Sequence, residues 1–226
     1  MISDWKQAEE ALRDIEVVGH KNNMPVSVIG SLENLRCIGI GTDAAVFYYP
    51  DTPDYAYKVY SAQALEKKEV EEKIYKRLEG SPYFPQCYGS GPNYLVLSFE
   101  QGITLYDCLV QGVRVPEQVI QDVEEAREFV RTKGLNPRDI HLKNVLLQEG
   151  RGKVLDVSEY IKEGNDSRWE HLVWTYKHVY PLIREVQVPL WILETIKNWY
   201  NRINRVNFGI EDFTKRVTRL FFGERK

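Results

Sequence analysis

One segment of the chain combines an aspartate and an asparagine at a spacing suited to chemistry. In PRDIHLKN, Asp139 and Asn144 stand five positions apart, directly before an apolar run, and Asp156 follows a second apolar run twelve positions later. Transfer of a phosphoryl group uses such a set, because one carboxylate accepts the proton of the attacking hydroxyl while a carboxylate and an amide hold magnesium. Oxygen ligands suit Mg²⁺, which is a hard cation. The spacing therefore indicates phosphoryl-transfer chemistry.

A lysine in an apolar strand is a second candidate. Lys58 lies within YAYKVY, where its charge must reach solvent or find a partner. Residues 62–79 are predicted to form a helix, and Glu71 lies on its apolar stripe, whereas Glu69 and Glu72 point toward solvent. Glu71 is therefore the acid best placed to meet Lys58. The alternative is that Lys58 sits on an exposed edge strand and Glu71 pairs with lysines of its own helix.

A glycine turn precedes that strand. Gly39 and Gly41 flank Ile40 in the run GIGTDAAV. Glycine lets a backbone approach a phosphate closely. A simple hairpin turn explains the same residues equally well.

Two halves of different character must position these residues. Residues 4–18 are predicted to form an amphipathic helix, with Trp5, Ala8, Leu12 and Ile15 at helical spacing. Short β-prone runs fill residues 35–60 and two further strands lie within 85–100, broken by glycine and proline. After Gly102 the pattern is mainly helical, apart from short apolar runs at 145–147 and 153–157. Asp166 or Ser167 is predicted to cap a helix that starts near Arg168.

Composition excludes several other classes of protein. The 226 residues carry a formal net charge of −3 and a pI of about 5.9, which does not indicate a nucleic-acid binder. Three separated cysteines without a CxxC pair indicate neither a zinc site nor a disulfide framework. The sequence contains no apolar run of transmembrane length and no signal peptide, so we expect a cytoplasmic protein without a transmembrane segment.

From about Leu35 to Val157, the order of these parts resembles the protein-kinase superfamily, and in particular the minimal bacterial serine/threonine kinases of eukaryotic type. The catalytic loop corresponds to PRDIHLKN, and DVS stands where the family has DFG. YLVLSFEQGITL matches the hinge, with Leu97 at the gatekeeper position. The other matching positions are Gly39, Gly41 and Val46 of the glycine-rich loop, Ala56 and Lys58 of the strand-lysine motif, and Glu71 of the helix.

The resemblance implies an α+β fold with two lobes, a small β-rich N-lobe and a reduced helical C-lobe. Residues 31–101 would form the N-lobe and residues 102–226 the C-lobe, with residues 1–30 as an N-terminal helical extension. It also implies ATP and Mg²⁺ as cofactors. The acceptor would be the serine or threonine hydroxyl of an unidentified protein substrate, or a small hydroxylated molecule.

The resemblance further implies a role for each matching position. Asp139 would be the catalytic aspartate, and Lys58 would contact the ATP phosphates and pair with Glu71. Asn144 and Asp156 would hold Mg²⁺. The groups implied to surround adenine are the backbone of Ser98, Phe99 and Glu100 and the side chains of Val46, Ala56 and Leu146.

The sequence departs from the family pattern at several positions. Ala44 replaces the third glycine of the loop, Pro137 replaces the usual histidine of the catalytic loop, and Val157-Ser158 replaces Phe-Gly. His141 stands where serine/threonine kinases usually carry lysine, as in aminoglycoside and choline phosphotransferases, although a histidine that only bonds the loop backbone is an equal alternative.

Three interpretations remain open from the sequence. A serine/threonine protein kinase is the first, favoured by Arg138-Asp139 and the run from Asn144 to Leu147. A small-molecule kinase of the aminoglycoside or choline type is the second, favoured by His141. A catalytically weak pseudokinase is the third, favoured by Ala44, Pro137 and Val157. The presence of four site residues argues against it: Lys58, Asp139, Asn144 and Asp156.

Overall fold

The fold, described by a computed structural model for residues 4–22, 24–202 and 209–222, is of the α+β class. The chain divides into two compact units. The first unit consists of the residues up to Gln101 together with Ala126–Asn136 and Leu155–Lys162. The second consists of Gly102–Glu125, Pro137–Val154 and the residues from Glu163 onward.

A five-stranded antiparallel sheet forms the centre of the first unit. Its strands are β3 (Arg36–Ile40), β4 (Ala44–Tyr48), β5 (Tyr55–Tyr60), β6 (Cys87–Ser90) and β7 (Tyr94–Ser98), in the order β3-β4-β5-β7-β6. β5 therefore pairs on both sides, with β4 and with β7. After a short 3₁₀ turn at Ala62–Ala64, helix α2 (Leu65–Arg77) buries Glu71, Ile74 and Tyr75 on one face.

The N-terminal segment differs from the predicted helix over residues 4–18. A 3₁₀ turn (Asp4–Ala8) leads into α1 (Glu9–Arg13), and the chain then forms a hairpin of β1 (Ile15–Val18) and β2 (Ser27–Gly30). Trp5, Ala8, Leu12 and Ile15 are all buried in one core cluster, as the spacing indicated. The helix prediction failed after Arg13 because burial alternates there at the two-residue period of a strand.

Gly30 shows why the hairpin can close. Its φ is +116°, and a Cβ at this position would lie 2.0 Å from the carbonyl oxygen of Asp14. Glycine alone tolerates both that conformation and that approach.

The second unit contains a small sheet and most of the helices. Its strands are β8 (Ile103–Thr104), β9 (Val145–Gln148) and β10 (Arg151–Val154), in the order β10-β9-β8. β10 begins before the predicted run at 153–157 and ends at Val154, so Asp156 lies beyond the strand. Helices α3 (Leu105–Gln111) and α4 (Glu117–Thr132) lie between β8 and the hairpin of β9 and β10 in the sequence. The end of α4 belongs to the first unit. The later helices are α5 (Arg168–His178), α6 (Tyr180–Ile183), α7 (Leu190–Arg202) and α8 (Ile210–Phe222).

Asp122 attaches the β9–β10 hairpin to α4. Its buried carboxylate accepts hydrogen bonds from Nη2 of Arg151 at 2.8 Å and from the amide of Gly152 at 2.7 Å. Gly152 permits this because a Cβ there would lie 2.9 Å from the carbonyl oxygen of Val119. Within the described ranges, no helix is long and apolar enough to cross a membrane.

Candidate active site

Lys58 forms a buried ion pair in the first unit. Its Nζ lies 2.5 Å from Oε1 of Glu71 and 3.5 Å from Oδ1 of Asp156. The side chain of Lys58 is 12% exposed and that of Glu71 only 1%. Because β5 is an inner strand, Lys58 does not sit on a sheet edge, and the structure brings it to the acid that the helix periodicity singled out.

The charges of this cluster are strongly coupled. Burial disfavours the charged form of Lys58, but Asp156 and Glu71 outweigh it and raise the pKa of the lysine. Burial raises the pKa of Glu71, against the opposing effect of Lys58. Glu71 also accepts a hydrogen bond at 2.8 Å from the hydroxyl of Tyr60. Lys58 therefore remains a cation inside the fold.

Asp156 is the more accessible acid of the cluster. Its side chain is 43% exposed, and its Oδ1 accepts the amide of Ser158 at 3.0 Å. Burial of the group opposes ionisation, but Lys58 and the hydrogen bonds from Ser158 outweigh it and lower the pKa of Asp156. Just before it, the carbonyl of Leu155 accepts a hydrogen bond at 2.7 Å from the hydroxyl of Tyr75 on α2. An ionised, solvent-facing carboxylate is thus held beside Lys58.

The glycine turn is a tight hairpin between β3 and β4. The amide of Gly41 donates to the carbonyl of Ala44 at 2.8 Å, so Thr42 and Asp43 form the tip. Gly39 pairs with Val46 across the strands. Lys67 of α2 contacts both carboxylate oxygens of Asp43, at 2.6 and 2.7 Å. This arrangement fastens the tip of the loop to α2.

Part of the predicted adenine-binding backbone has a partner within the fold. The amide of Phe99 donates to the carbonyl of Asp54 at 2.8 Å, and the amide of Ser98 donates to the carbonyl of Gln86 at 2.8 Å. The hydroxyl of Ser98 donates to the carboxylate of Glu100. The amides of Ser98 and Phe99 are therefore already bonded within the fold. Of the side chains expected around the ring, Ala56 is buried, Val46 is half-buried, and Leu146 is buried in β9 of the second unit.

The catalytic loop of the second unit is held by its own polar side chains. Asp139 has a positive φ of 57°, which is uncommon for a residue other than glycine. Nδ2 of Asn144 donates to the Asp139 carbonyl at 2.7 Å, and Oδ1 of Asn144 accepts the amide of His141 at 2.9 Å. Nδ1 of His141 accepts the amide of Lys143 at 3.2 Å. His141 thus bonds the loop backbone, as one of its two sequence interpretations requires.

Asp166 and Arg168 also contact this loop. The sequence interpretation identified them only as the start of a helix and missed them as site residues. Oδ2 of Asp166 accepts the amide of Asp139 at 2.8 Å, and Arg168 forms an ion pair with the Asp139 carboxylate. Oδ1 of Asp166 also accepts the amide of Arg168 at 3.1 Å, so the side chain of Asp166, and not that of Ser167 at the N-cap position, bonds the start of α5. The available signal was a charged pair at a helix start, which does not identify its distant partner.

The proposed Mg²⁺ ligands can be tested against their own surroundings. Asp156 is ionised and reaches solvent, which suits a hard cation. The Asn144 amide oxygen already accepts one hydrogen bond, but an amide oxygen has a second lone pair. Both residues therefore fit the proposed role. Among the residues that the structure describes, no group of three or more His, Cys, Asp or Glu side chains forms a separate metal cluster.

Comparisons with known proteins bear on the family. No protein-family model matches the chain. It is 32% identical over 195 residues to "Putative serine/threonine-protein kinase YrzF" of Bacillus subtilis strain 168, a match that covers 82% of this chain and 90% of the relative. Among solved structures, it resembles WbdD with a TM-score of 0.46 and 13% identity, over 78% of this chain but only 43% of WbdD. On the strength of the relative in B. subtilis, the chain belongs to the family of YrzF within the protein-kinase-like superfamily.

Proposed function

We propose that the protein is an ATP- and Mg²⁺-dependent serine/threonine protein kinase that transfers the γ-phosphate of ATP to a hydroxyl. The observation that carries the proposal is the buried cation of Lys58 between Glu71 and Asp156. A lysine kept charged inside a fold is poised to hold phosphate oxygens, and phosphoryl transfer depends mainly on such positioning. Membership of the YrzF family supports the same activity.

The first unit would supply the nucleotide contacts. Lys58 would bind the ATP phosphates, with Glu71 fixing the position of its ammonium group. The turn at Gly39 and Gly41 would lie over phosphate, since neither residue places a side chain there. The remaining contacts proposed for adenine are backbone groups of Ser98, Phe99 and Glu100, of which Ser98 and Phe99 would supply only their carbonyls. The side chains proposed around the ring are those of Val46, Ala56 and Leu146.

The second unit would supply the chemistry of the acceptor. Asp139 would orient the hydroxyl and accept its proton, because its carboxylate is 35% exposed and its backbone is fixed on both sides. Asn144 and Asp156 would hold Mg²⁺, which when bound neutralises charge on the phosphate oxygens. We further propose residues 31–101 as the N-lobe, residues 102–226 as the C-lobe, and a cytoplasmic location.

The hydrogen-bonded state of the loop favours an active enzyme over a pseudokinase. Asp139, Asn144 and Asp166 restrain one another through bonds at 2.7 and 2.8 Å around a left-handed residue. Strained backbone of this kind is retained where the surrounding structure imposes it, and it occurs preferentially at functional sites.

The test is incubation of purified protein with γ-labelled ATP, Mg²⁺ and a generic serine/threonine substrate. Wild type should transfer label, whereas Asp139→Asn should lose turnover by about 10³-fold or more while binding ATP nearly normally. Equal transfer by the variant would refute the role of Asp139. Label appearing only with a small hydroxylated acceptor would move the assignment to a small-molecule kinase. Nucleotide binding without any transfer would make the protein a pseudokinase.

A further inference from the structure

Arg168 is the cation that directly contacts the carboxylate of Asp139. It occupies the first position of α5, 29 positions beyond the aspartate, and its Nη1 contacts Oδ1. The two side chains are 32% and 35% exposed, so the pair borders solvent. A carboxylate that must meet an incoming hydroxyl is thus already held from one side.

A buried acid fixes the backbone of both partners. Asp166 is 6% exposed, and its two oxygens accept the amides of Asp139 and Arg168 separately, at 2.8 and 3.1 Å. Nε of Arg168 also lies 3.7 Å from Oδ2 of Asp166. Since one carboxylate ties the two backbones together, the distance between Asp139 and Arg168 is set by hydrogen bonds to the main chain as well as by their own ion pair.

Phosphoryl transfer beside Asp139 requires a positive charge close to its carboxylate. A phosphoryl group that moves to a hydroxyl beside Asp139 brings negative oxygens toward a carboxylate, and like charges repel. A guanidinium beside that carboxylate offsets the repulsion and holds the carboxylate in one orientation through its planar donors. Arginines supplied from the same chain serve phosphoryl transfer in other enzymes.

We propose that Arg168 is a positioning residue of the active site, which holds the Asp139 carboxylate aimed at the acceptor hydroxyl. The inference rests on the proposed kinase function and adds a residue to it. An inhibitory contact, released on activation, is the competing interpretation. The buried carboxylate of Asp166 bonds the Arg168 amide, and it would lose this partner if Arg168 moved away on activation. This cost favours a contact that persists in the active enzyme.

The experiment measures kcat and the KM for ATP in Arg168→Met and Arg168→Lys, with Arg131→Met as the matched control. Arg131 is an exposed arginine of α4 that pairs with Glu128. We expect Arg168→Met to lower kcat about 10- to 100-fold with the KM for ATP changed less than about twofold, since misorientation of a catalytic group has effects of this size. Arg168→Lys keeps the charge without the planar guanidinium, so its kcat should lie between those of Arg168→Met and wild type. The kcat of Arg131→Met should equal that of wild type.

Several outcomes overturn the inference. An unchanged kcat in Arg168→Met removes the proposed role, and an increased kcat identifies an inhibitory contact instead. A lysine variant with a kcat equal to that of wild type shows that positive charge alone suffices and that the planar donors of arginine do not orient the carboxylate. If Arg168→Met does not fold, the lysine variant decides alone: a kcat equal to wild type or as low as that of Asp139→Asn overturns the proposal. A wild type without any transfer overturns the proposed function itself, which separates that failure from a failure confined to Arg168.

Discussion

Two ion pairs, one in each compact unit, hold the groups proposed for catalysis in different ways. Lys58 and Glu71 are almost wholly buried, and the lysine is fixed by two acids. Asp139 and Arg168 are each about one-third exposed, and their backbones are fixed by the buried acid Asp166. The first pair is held through its side chains, the second through the main chain.

This difference determines how much each ion pair contributes to the free energy of folding. A buried charge that loses its partner keeps the whole desolvation cost, so Lys58 and Glu71 depend strongly on each other. An exposed pair is solvated and screened, so its contribution to stability is small. The Asp139–Arg168 pair therefore contributes little to stability, and its hydrogen-bonded arrangement with Asp166 is better explained by the proposed function.

The largest effect is expected from breaking the buried pair. Glu71→Gln removes one of the two acids beside Lys58 and should lower the free energy of unfolding by about 3–5 kcal/mol, with a large loss of transfer. The glutamine can still accept the hydroxyl of Tyr60. Urea denaturation and the labelled-ATP assay measure the two effects.

The matched control and a double variant sharpen this prediction. Glu66→Gln removes an exposed acid in the first turn of the same helix and should change stability by less than about 1 kcal/mol. Lys58→Met combined with Glu71→Gln should regain most of the lost stability but no transfer, because no buried charge then lacks a partner. A double variant less stable than Glu71→Gln would contradict the account of the pair.

A smaller, pH-dependent effect is expected at Asp122, which is buried but paired with an exposed arginine. Burial alone would raise the pKa of Asp122, but bonds from Arg151 and the Gly152 amide lower it below its ordinary value. A depressed pKa stabilises the fold above the unfolded-state value of about 3.9 and loses this effect as pH falls through the folded-state value.

Arg151→Met should therefore lower the free energy of unfolding at pH 7 by about 1–3 kcal/mol. The difference from wild type should shrink as the pH falls below about 4. Urea titrations at a series of pH values measure it, and a difference independent of pH would mean that Arg151 acts through packing and not through the charge of Asp122.

The smallest effect is expected at the exposed pair of Lys67 and Asp43. Both side chains are more than one-third exposed, so Lys67→Ala should change stability by less than about 1 kcal/mol, less still in high salt. Because this pair fastens the tip of the glycine turn, the KM for ATP is the quantity to watch. If Lys67→Ala lowered stability as much as Glu71→Gln, the conclusion that buried pairs contribute more to stability than exposed pairs would be wrong.

The sequence predicted the first pair because periodicity carries the information. Glu71 lies on the apolar stripe of α2 together with Ile74 and Tyr75, and an acid on such a stripe needs a cation. The positions of the main strands followed from similar patterns, and the resemblance to protein kinases implied the α+β class. The helix over residues 4–18 failed because Ile15 suits a helical and a strand period equally, and pairing with β2 decided between them.

The second pair could not be predicted from the sequence. Arg168 meets Asp139 only through tertiary structure, since the intervening 28 residues include β9, β10 and an irregular segment. Local pattern identified Asp166 and Arg168 as a helix start, which is correct but incomplete. The same limit applies to Phe99, whose amide is bonded to Asp54 by the register of β5 and β7.

The hydrogen bonds of Arg138 affect which substitutions its partners can tolerate. Its guanidinium donates to the carbonyls of Glu163 and Gly164, acceptors that every amino acid possesses. Gly164 itself is restricted by a φ of +80°. Glu163 has no such backbone restriction, and its hydrogen bond with Arg138 does not involve its side chain. Substitutions of Glu163 should therefore be tolerated, because the hydrogen bond from Arg138 needs only the backbone carbonyl.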